Sequence, residues 1–368
     1  MALAVLEDDS IVHPALEVMT TTNEEDGMSG AANLSKDFLK GRKVINLDSE
    51  DYDTITTGAA GATLQFHRIP IERQPAPGGK RRWYRIRIEG GLGGHSGVDI
   101  NKGRCSAVIP MWAILAAVYN EYDFDVASIK IGEANASIAS SSEAVVCIPS
   151  GEASEFLKQQ QEMMNQWLSE EYPNDAKLTC TIEKCERQDT IIDTKAFEAL
   201  LSCLEQIPQG VVKMSEAMKG TVETSNNVGR IETEEGNEES HIFISTHTRS
   251  FIDADMEALS LEIAKVFKEH GASSETIMSA PAWQENQESP FLQLTSNTFQ
   301  DVLGWRPRMV AMHFVLEAGY FVQHYPGIQM ASIGPRIVEP HSTSERVELK
   351  TIDDIWAVLI ELLKRLSA

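Results

Sequence analysis

The sequence predicts an α/β protein of two domains, and three observations carry that expectation. Residues 15–48 alternate as apolar run, acidic turn, helical pattern and apolar run, the order of a strand, helix and strand. Residues 57–62, Thr-Gly-Ala-Ala-Gly-Ala, are small and fit a hinge or the start of a new domain. From residue 63 to about 281, helix and strand patterns follow one another in two α+β lobes with a similar order of elements but no sequence repeat. A length of 368 residues also favours two domains.

In order along the chain, Met1-Ala2-Leu3-Ala4-Val5-Leu6 is apolar and helix-like, with no capping residue before it. A helix already in mid-pattern at residue 1 suggests a segment upstream; a short helix packed on the sheet fits the same residues. Residues 15–19 and 43–47 read as strands, and residues 28–40 between them as a helix. Residues 63–69 and 83–88 alternate as strands about the turn Pro75-Ala76-Pro77-Gly78-Gly79-Lys80. Helices are expected at 107–119, 152–170, 194–204 and 256–269, and strands at 126–131, 144–148, 178–182, 222–231 and 241–245. Beyond Trp283 come a helix at 289–302, a helical stretch after Gly319 and a strand from 328. The last helix, 351–366, carries Ile355, Trp356, Leu359, Leu362, Leu363 and Leu366 at helical spacing. Thr351 and Asp354 have capping-box spacing, and Lys364 and Arg365 suit its C-terminal dipole.

The composition, 42% hydrophobic and 24% charged, is that of a chain able to bury a core. A net charge of −23 argues against nucleic acid as a partner. No apolar run approaches membrane-span length and no signal peptide is visible, so no membrane partner is expected. Five cysteines, odd in number and without a CxxC pair, fit reduced thiols and a cytoplasmic protein.

The candidate chemistry begins with Glu24 and Glu25, adjacent in a turn, and Asp48 after the next strand. Strands joined by a helix run parallel, and open parallel sheets bind ligands at their carboxyl ends. The three acids are therefore expected on one rim, where they repel unless a cation or protons neutralise them. A divalent metal is one reading. Acidic turns in an acidic protein are the other, and on local pattern alone the better. The segment Gly90-Gly91-Leu92-Gly93-Gly94-His95-Ser96-Gly97 lets backbone come close to a ligand, but lacks the Lys-Ser/Thr ending of a phosphate loop.

Taken in order, Glu24-Glu25-Asp26-Gly27-Met28, Asp48, Gly93-Gly94-His95-Ser96-Gly97, Val222-Glu223-Thr224-Ser225-Asn226-Asn227-Val228-Gly229, Arg249-Ser250 and Gly334-Pro335 with His341-Ser342 resemble the M20 metallopeptidases. Within them the chain is most similar to the aminoacylhistidine, or cytosol non-specific, dipeptidases. The resemblance covers nearly the whole chain and implies a two-zinc hydrolase, with manganese or cobalt as alternative metals. It implies a zinc-peptidase-like α/β catalytic domain at 1–62 and 282–368, interrupted by a lid at 63–281 that also serves dimerisation. Carried over residue by residue, Glu24 matches the general base, Glu25 and His341 ligands of one zinc, and Asp48 a ligand of the other. His95 matches the lid histidine that stabilises the oxyanion, and Arg249 the arginine that grips the substrate carboxylate. Glu317 is a candidate for the substrate amine, a structural role fitting it as well. The implied substrates are unblocked dipeptides, Xaa-His among them.

Two departures stand beside the resemblance. The family's earlier His-x-Asp motif and metal-bridging Asp are not in this sequence, so the catalytic domain is expected to lack its N-terminal part. Where the family has Asn-Ala-Ile-Pro, this chain has Ala134-Asn135-Ala136-Ser137-Ile138-Ala139, with Asn135 one residue out of place as a substrate contact. Two functions are therefore expected in competition: a metal-dependent dipeptidase, or an inactive homologue acting as a dimerisation or peptide-binding protein. An acidic α/β protein without a metal leaves the order of the motifs unexplained.

Overall fold

The structure, a computed structural model, describes residues 1–24, 27–149, 153–236, 239–284, 288–340 and 342–367. The chain divides into two compact units, Met1–Gly61 with Ala280–Ala368, and Ala62–Ser279. Among the described residues no helix is long and apolar enough to cross a membrane.

The first unit is built on a sheet in the order Lys43–Asn46, Gln329–Ser332, Thr54–Ala59, Arg308–Met312. Lys43–Asn46 runs parallel to Gln329–Ser332, with Asn46 opposite Ser332. Thr54–Ala59 runs parallel to Arg308–Met312 and is buried along its whole length. The hinge expected from residue 57 is therefore in part a sheet strand. Small residues there let both faces of the strand be covered, as parallel strands require.

The strand expected at 15–19 is absent, and the helix expected at 28–40 is reduced to Ser29–Ala32. The segment is held by side chains instead of a ladder. The Glu17 carboxylate accepts the backbone N–H groups of Lys40 and Gly41 at 2.9 and 2.7 Å. Asn33 closes the short helix with its own amide on the Ser29 carbonyl. Such local bonds compete with helix, as Asn and Ser do generally.

Two helices cover the sheet. Phe291, Leu292 and Phe299 of Pro290–Leu303, and Ile355 and Val358 of Leu349–Leu366, pack with Ile55, Ala331 and Ile333. The last helix starts two residues earlier than expected. Glu348 is its N-cap without a side-chain cap bond, and Thr351 bonds back to the Glu348 carbonyl, so the expected capping box is not formed.

The second unit is a largely antiparallel sheet. Its order is Thr179–Lys184, Arg81–Glu89, Ser142–Pro149, Asp125–Ile131, Val222–Glu234, Ser240–Ser250, Gly61–Ile71, Ser273–Ala280, with Gly210–Met214 beside Val222–Glu234. Helices Val108–Glu121, Ala153–Glu171, Thr194–Gln206 and Asp253–Glu269 supply Met111, Ile114, Leu157, Leu200 and Phe267 to a core with Ile86, Ile88, Ile129 and Val146. The strands read as 222–231 and 241–245 are longer than the apolar pattern suggested. The C-terminal extension of the second is polar yet buried: Thr246, His247, Thr248, Arg249 and Ser250 are all shielded from solvent.

Candidate functional site

In the first unit the candidate acids stand on strained or tightly approached turns. Asn23 and Met28, on either side of Glu24, have φ of 61° and 54°, and Glu339, two residues before His341, has φ of 56°. Asn tolerates this region; Met and Glu do not adopt it readily. Backbone strain of this kind gathers at functional turns. Glu25 and His341 lie outside the described residues.

Asp48 follows the strand Lys43–Asn46. Asn46 accepts the Asp48 backbone N–H at 2.8 Å and the Ser332 hydroxyl at 2.8 Å. The loops leaving these two parallel strands then run against each other. Gly334 lies so close to Ser49 that any Cβ there would collide with the Ser49 carbonyl. The stretch carrying Asp48 and the stretch leading to His341 thus leave the carboxyl ends of neighbouring parallel strands, whereas the turn of Glu24 does not follow a strand, because none forms at 15–19.

Glu317, the N-cap residue of Ala318–His324, lies near enough to Asp48 to feel its negative charge. Thr21 donates its hydroxyl to Glu317 Oε2 at 2.8 Å, while Oε1 is buried without a partner among the described residues. Burial raises the Glu317 pKa; the Thr21 bond opposes that, and the negative charge of Asp48 adds to it. Glu317 and Asp48 are thus brought together with the start of the turn that bears Glu24. Among the described residues no three His, Cys, Asp or Glu side chains come together as a metal-binding group. What the described part offers a cation is the acidic pair and the unpartnered Oε1, donors of the hard type that divalent metals take.

In the second unit three predicted residues are drawn to one place. Gly94–His95 pairs with Ser137–Ile138, His95 opposite Ser137. Ser96 donates its backbone N–H to the Ala136 carbonyl at 2.9 Å. The Asn135 loop therefore lies against the glycine-rich loop. Gly229 sits at a bulge in Val222–Glu234, and a Cβ there would collide with the Asn135 carbonyl. Asn227, two residues before it, donates its amide to the Ser137 carbonyl at 2.9 Å. Asn135 Oδ1 is buried without a partner among the described residues.

The tautomer of His95 follows from its neighbours. The backbone N–H groups of Gly97 and Val98 both donate to His95 Nδ1, each at 3.0 Å. Nδ1 must then be an acceptor, so the proton of the neutral ring is on Nε2. His95 is exposed at its surface, yet desolvation by the atoms packed around the ring, then the positive charge of Arg249, pushes its pKa down to about 4, against the opposing pull of Asp99. The backbone is pinned as well: His95 N–H donates to Asp99 at 2.9 Å, and Asp175 accepts from Leu92 and Cys105, on either side of the loop.

Arg249 is 3% exposed, and among the described residues no carboxylate pairs with it. Its Nη2 makes two bonds of 3.4 Å, to Ser96 Oγ and to His247 Nδ1, and its Nε is buried without a partner among the described residues. Burial lowers its pKa to about 10, which leaves it a cation near neutrality. Sequence reasoning missed Ser96 and His247 as its companions. The signal was present: runs of polar residues inside strands, Ser225-Asn226-Asn227 and Ser245 to Ser250, which a purely structural strand would not bury without cost.

No protein-family model matches the chain. It is 32% identical over 375 residues to the cytosol non-specific dipeptidase of Escherichia coli strain K12, spanning 100% of this chain and 75% of that protein. The crystal structure of an aminoacylhistidine dipeptidase from Vibrio alginolyticus superposes with a TM-score of 0.90 at 28% identity, covering 99% of this chain and 73% of that one. The aminopeptidase PepT of Bacillus cereus shares the fold, with a TM-score of 0.53 at 15% identity, over 100% of this chain and 68% of its own.

Proposed function

The chain belongs to the M20 peptidases, with the cytosol non-specific or aminoacylhistidine dipeptidases, and on that premise we propose that it hydrolyses the peptide bond of unblocked dipeptides, Xaa-His among them, in a metal-dependent reaction. In this reading the unit of residues 1–61 and 280–368 is catalytic and the unit of residues 62–279 is the lid. Glu25, Asp48 and His341 would hold a divalent metal, zinc in the first place, which when bound supplies a Lewis acid for the scissile carbonyl and for water.

The remaining roles belong to the chain's own residues. Glu24 accepts a proton from the attacking water and returns it to the leaving amine. His95 offers Nε2–H to the carbonyl oxygen as that oxygen gains charge. A neutral donor serves here, because the two amides on Nδ1 keep the ring oriented and its proton on the far nitrogen. Arg249 takes the substrate carboxylate, the anion that its buried cation lacks among the described residues. Glu317 takes the substrate amine through Oε1, which has no partner among the described residues, and Asn135 remains a polar contact near the peptide bond.

The observation that carries this reading is the His95 arrangement beside an arginine with no acid partner among the described residues. The test is Ala-His hydrolysis by the purified full chain supplied with zinc, with bound metal measured by mass spectrometry. Turnover is expected, and Glu24→Gln should lower kcat at least about hundredfold with metal retained. No turnover with zinc, manganese or cobalt overturns the reading. Dipeptide binding in that case would identify a non-catalytic peptide-binding homologue.

A further inference from the structure

The polar face of the long hairpin holds one side chain that the dipeptidase reading leaves without a task. Val222–Glu234 and Ser240–Ser250 pair antiparallel, with Ser225 opposite Arg249 and Asn227 opposite His247. Residues two apart on a strand share a face, so His247 and Arg249 stand side by side. Both are almost wholly buried, at 4% and 3% exposure.

The guanidinium fixes the state of the imidazole. Arg249 Nη2 can only donate, so His247 Nδ1 must accept, and the ring proton must be on Nε2. That Nε2–H is buried and has no hydrogen-bond partner among the described residues. Arg249 Nε–H is in the same position. Two neighbouring side chains thus present two buried, unanswered donors, and one of those side chains carries a full positive charge. A buried donor without an acceptor loses its hydration and gains nothing in return. Native structures answer such groups with water, an ion or a ligand.

We infer that His247 is a specificity-determining residue, which supplies the second donor, Nε2–H, for a carboxylate held by Arg249. The ligand class is a dipeptide with a free C-terminal carboxylate, whose two oxygens meet a cationic donor and a neutral one. Guanidinium alone attracts any anion. A neutral donor at a fixed place beside it favours a planar two-oxygen acceptor over the C-terminal amide, whose NH2 group would face Nε2–H donor to donor. The inference rests on the proposed carboxylate grip of Arg249.

The experiment is calorimetric titration of the full chain with a hydrolysis-resistant Ala-His analogue in which CH2–NH replaces the peptide bond, and with the C-terminal amide of that analogue. The wild-type chain should bind the acid at least about tenfold more tightly than the amide. His247→Leu should lose about tenfold on the acid and leave the amide unchanged. His247→Gln, which keeps an N–H near the position of Nε2, should recover most of the loss. A second measurement needs no variant to fold well: ring 15N spectra of the wild-type chain should show an Nε2-protonated histidine that shifts with the acid and not with the amide. If His247→Leu and His247→Gln both bind the acid like the wild type while Arg249→Met loses it, the Arg249 reading stands and the His247 inference falls. If the wild-type chain does not distinguish acid from amide, the carboxylate grip itself is wrong, and the inference falls with it. If His247→Leu does not fold, His247→Gln and the ring spectra decide.

Discussion

His67 shows what burial does to a histidine that has no chemistry to perform. Its Nδ1 meets Ser274 Oγ at 2.7 Å, its Nε2 meets Thr246 Oγ1 at 2.9 Å, and its ring stacks on Phe267. Burial pushes its pKa down to about 3. The unfolded chain then takes up a proton near pH 6.5 that the folded chain refuses. Stability is full above pH 6.5 and is lost as pH falls from there toward 3. The expected loss is roughly 2 kcal/mol at pH 5 from this residue, and the lowered pKa of buried His247 acts in the same direction. Urea midpoints at neutral and mildly acidic pH should record the drop, and His67→Phe should reduce it; an unchanged drop in that variant would assign it elsewhere. His95 differs, because its two amide donors hold the tautomer by geometry. Its ring 15N shifts should report the neutral Nε2–H form throughout the range from pH 5 to 8. An imidazolium at pH 6 would remove the argument for a neutral oxyanion donor.

At the scale of elements, two close approaches set the loops that carry the candidate residues. Gly334 faces the Ser49 carbonyl and Gly229 the Asn135 carbonyl, with no room for a side chain at either. Gly334→Ala should cost about 1–3 kcal/mol in a thermal melt and should lower dipeptide turnover as well, because it separates the loops bearing Asp48 and His341. A variant that melts lower yet keeps full turnover would show that this approach serves stability alone. The last helix offers a plainer case. Leu362 is fully buried in Leu349–Leu366, and Leu362→Ala should cost roughly 2–5 kcal/mol, read from the denaturant midpoint. This helix was legible because its apolar residues repeat at 3.6 spacing. Its start was not, because Thr351 answers Arg336 and the Glu348 carbonyl, not the amides of its own helix. Residues 15–40 were misread for a related reason: Glu17 and Asn33 satisfy backbone groups that a strand and a longer helix would otherwise use.

For the molecule as a whole, the net charge of −23 sets a self-repulsion that salt should relieve. The melting temperature should rise as sodium chloride is raised from about 20 mM to about 300 mM, where the Debye length shrinks severalfold. A fall would mean that the ion pairs, such as Arg230 with Glu232 and Glu234, outweigh the repulsion. The sequence by itself determined the family, the α/β class and the identity of most candidate residues. Those rest on residue types in a fixed order along the chain, and order survives without coordinates. Only the tertiary structure decided that residues 54–59 are a buried strand, that Glu317 is the neighbour of Asp48, and that His95, Asn135 and Arg249 gather in one unit with His247 beside them. Such facts depend on which distant strands pair and on which donors are left unanswered after they do. Hydrophobic periodicity records the face a residue turns to the core, but it carries no information about the partner that residue meets there.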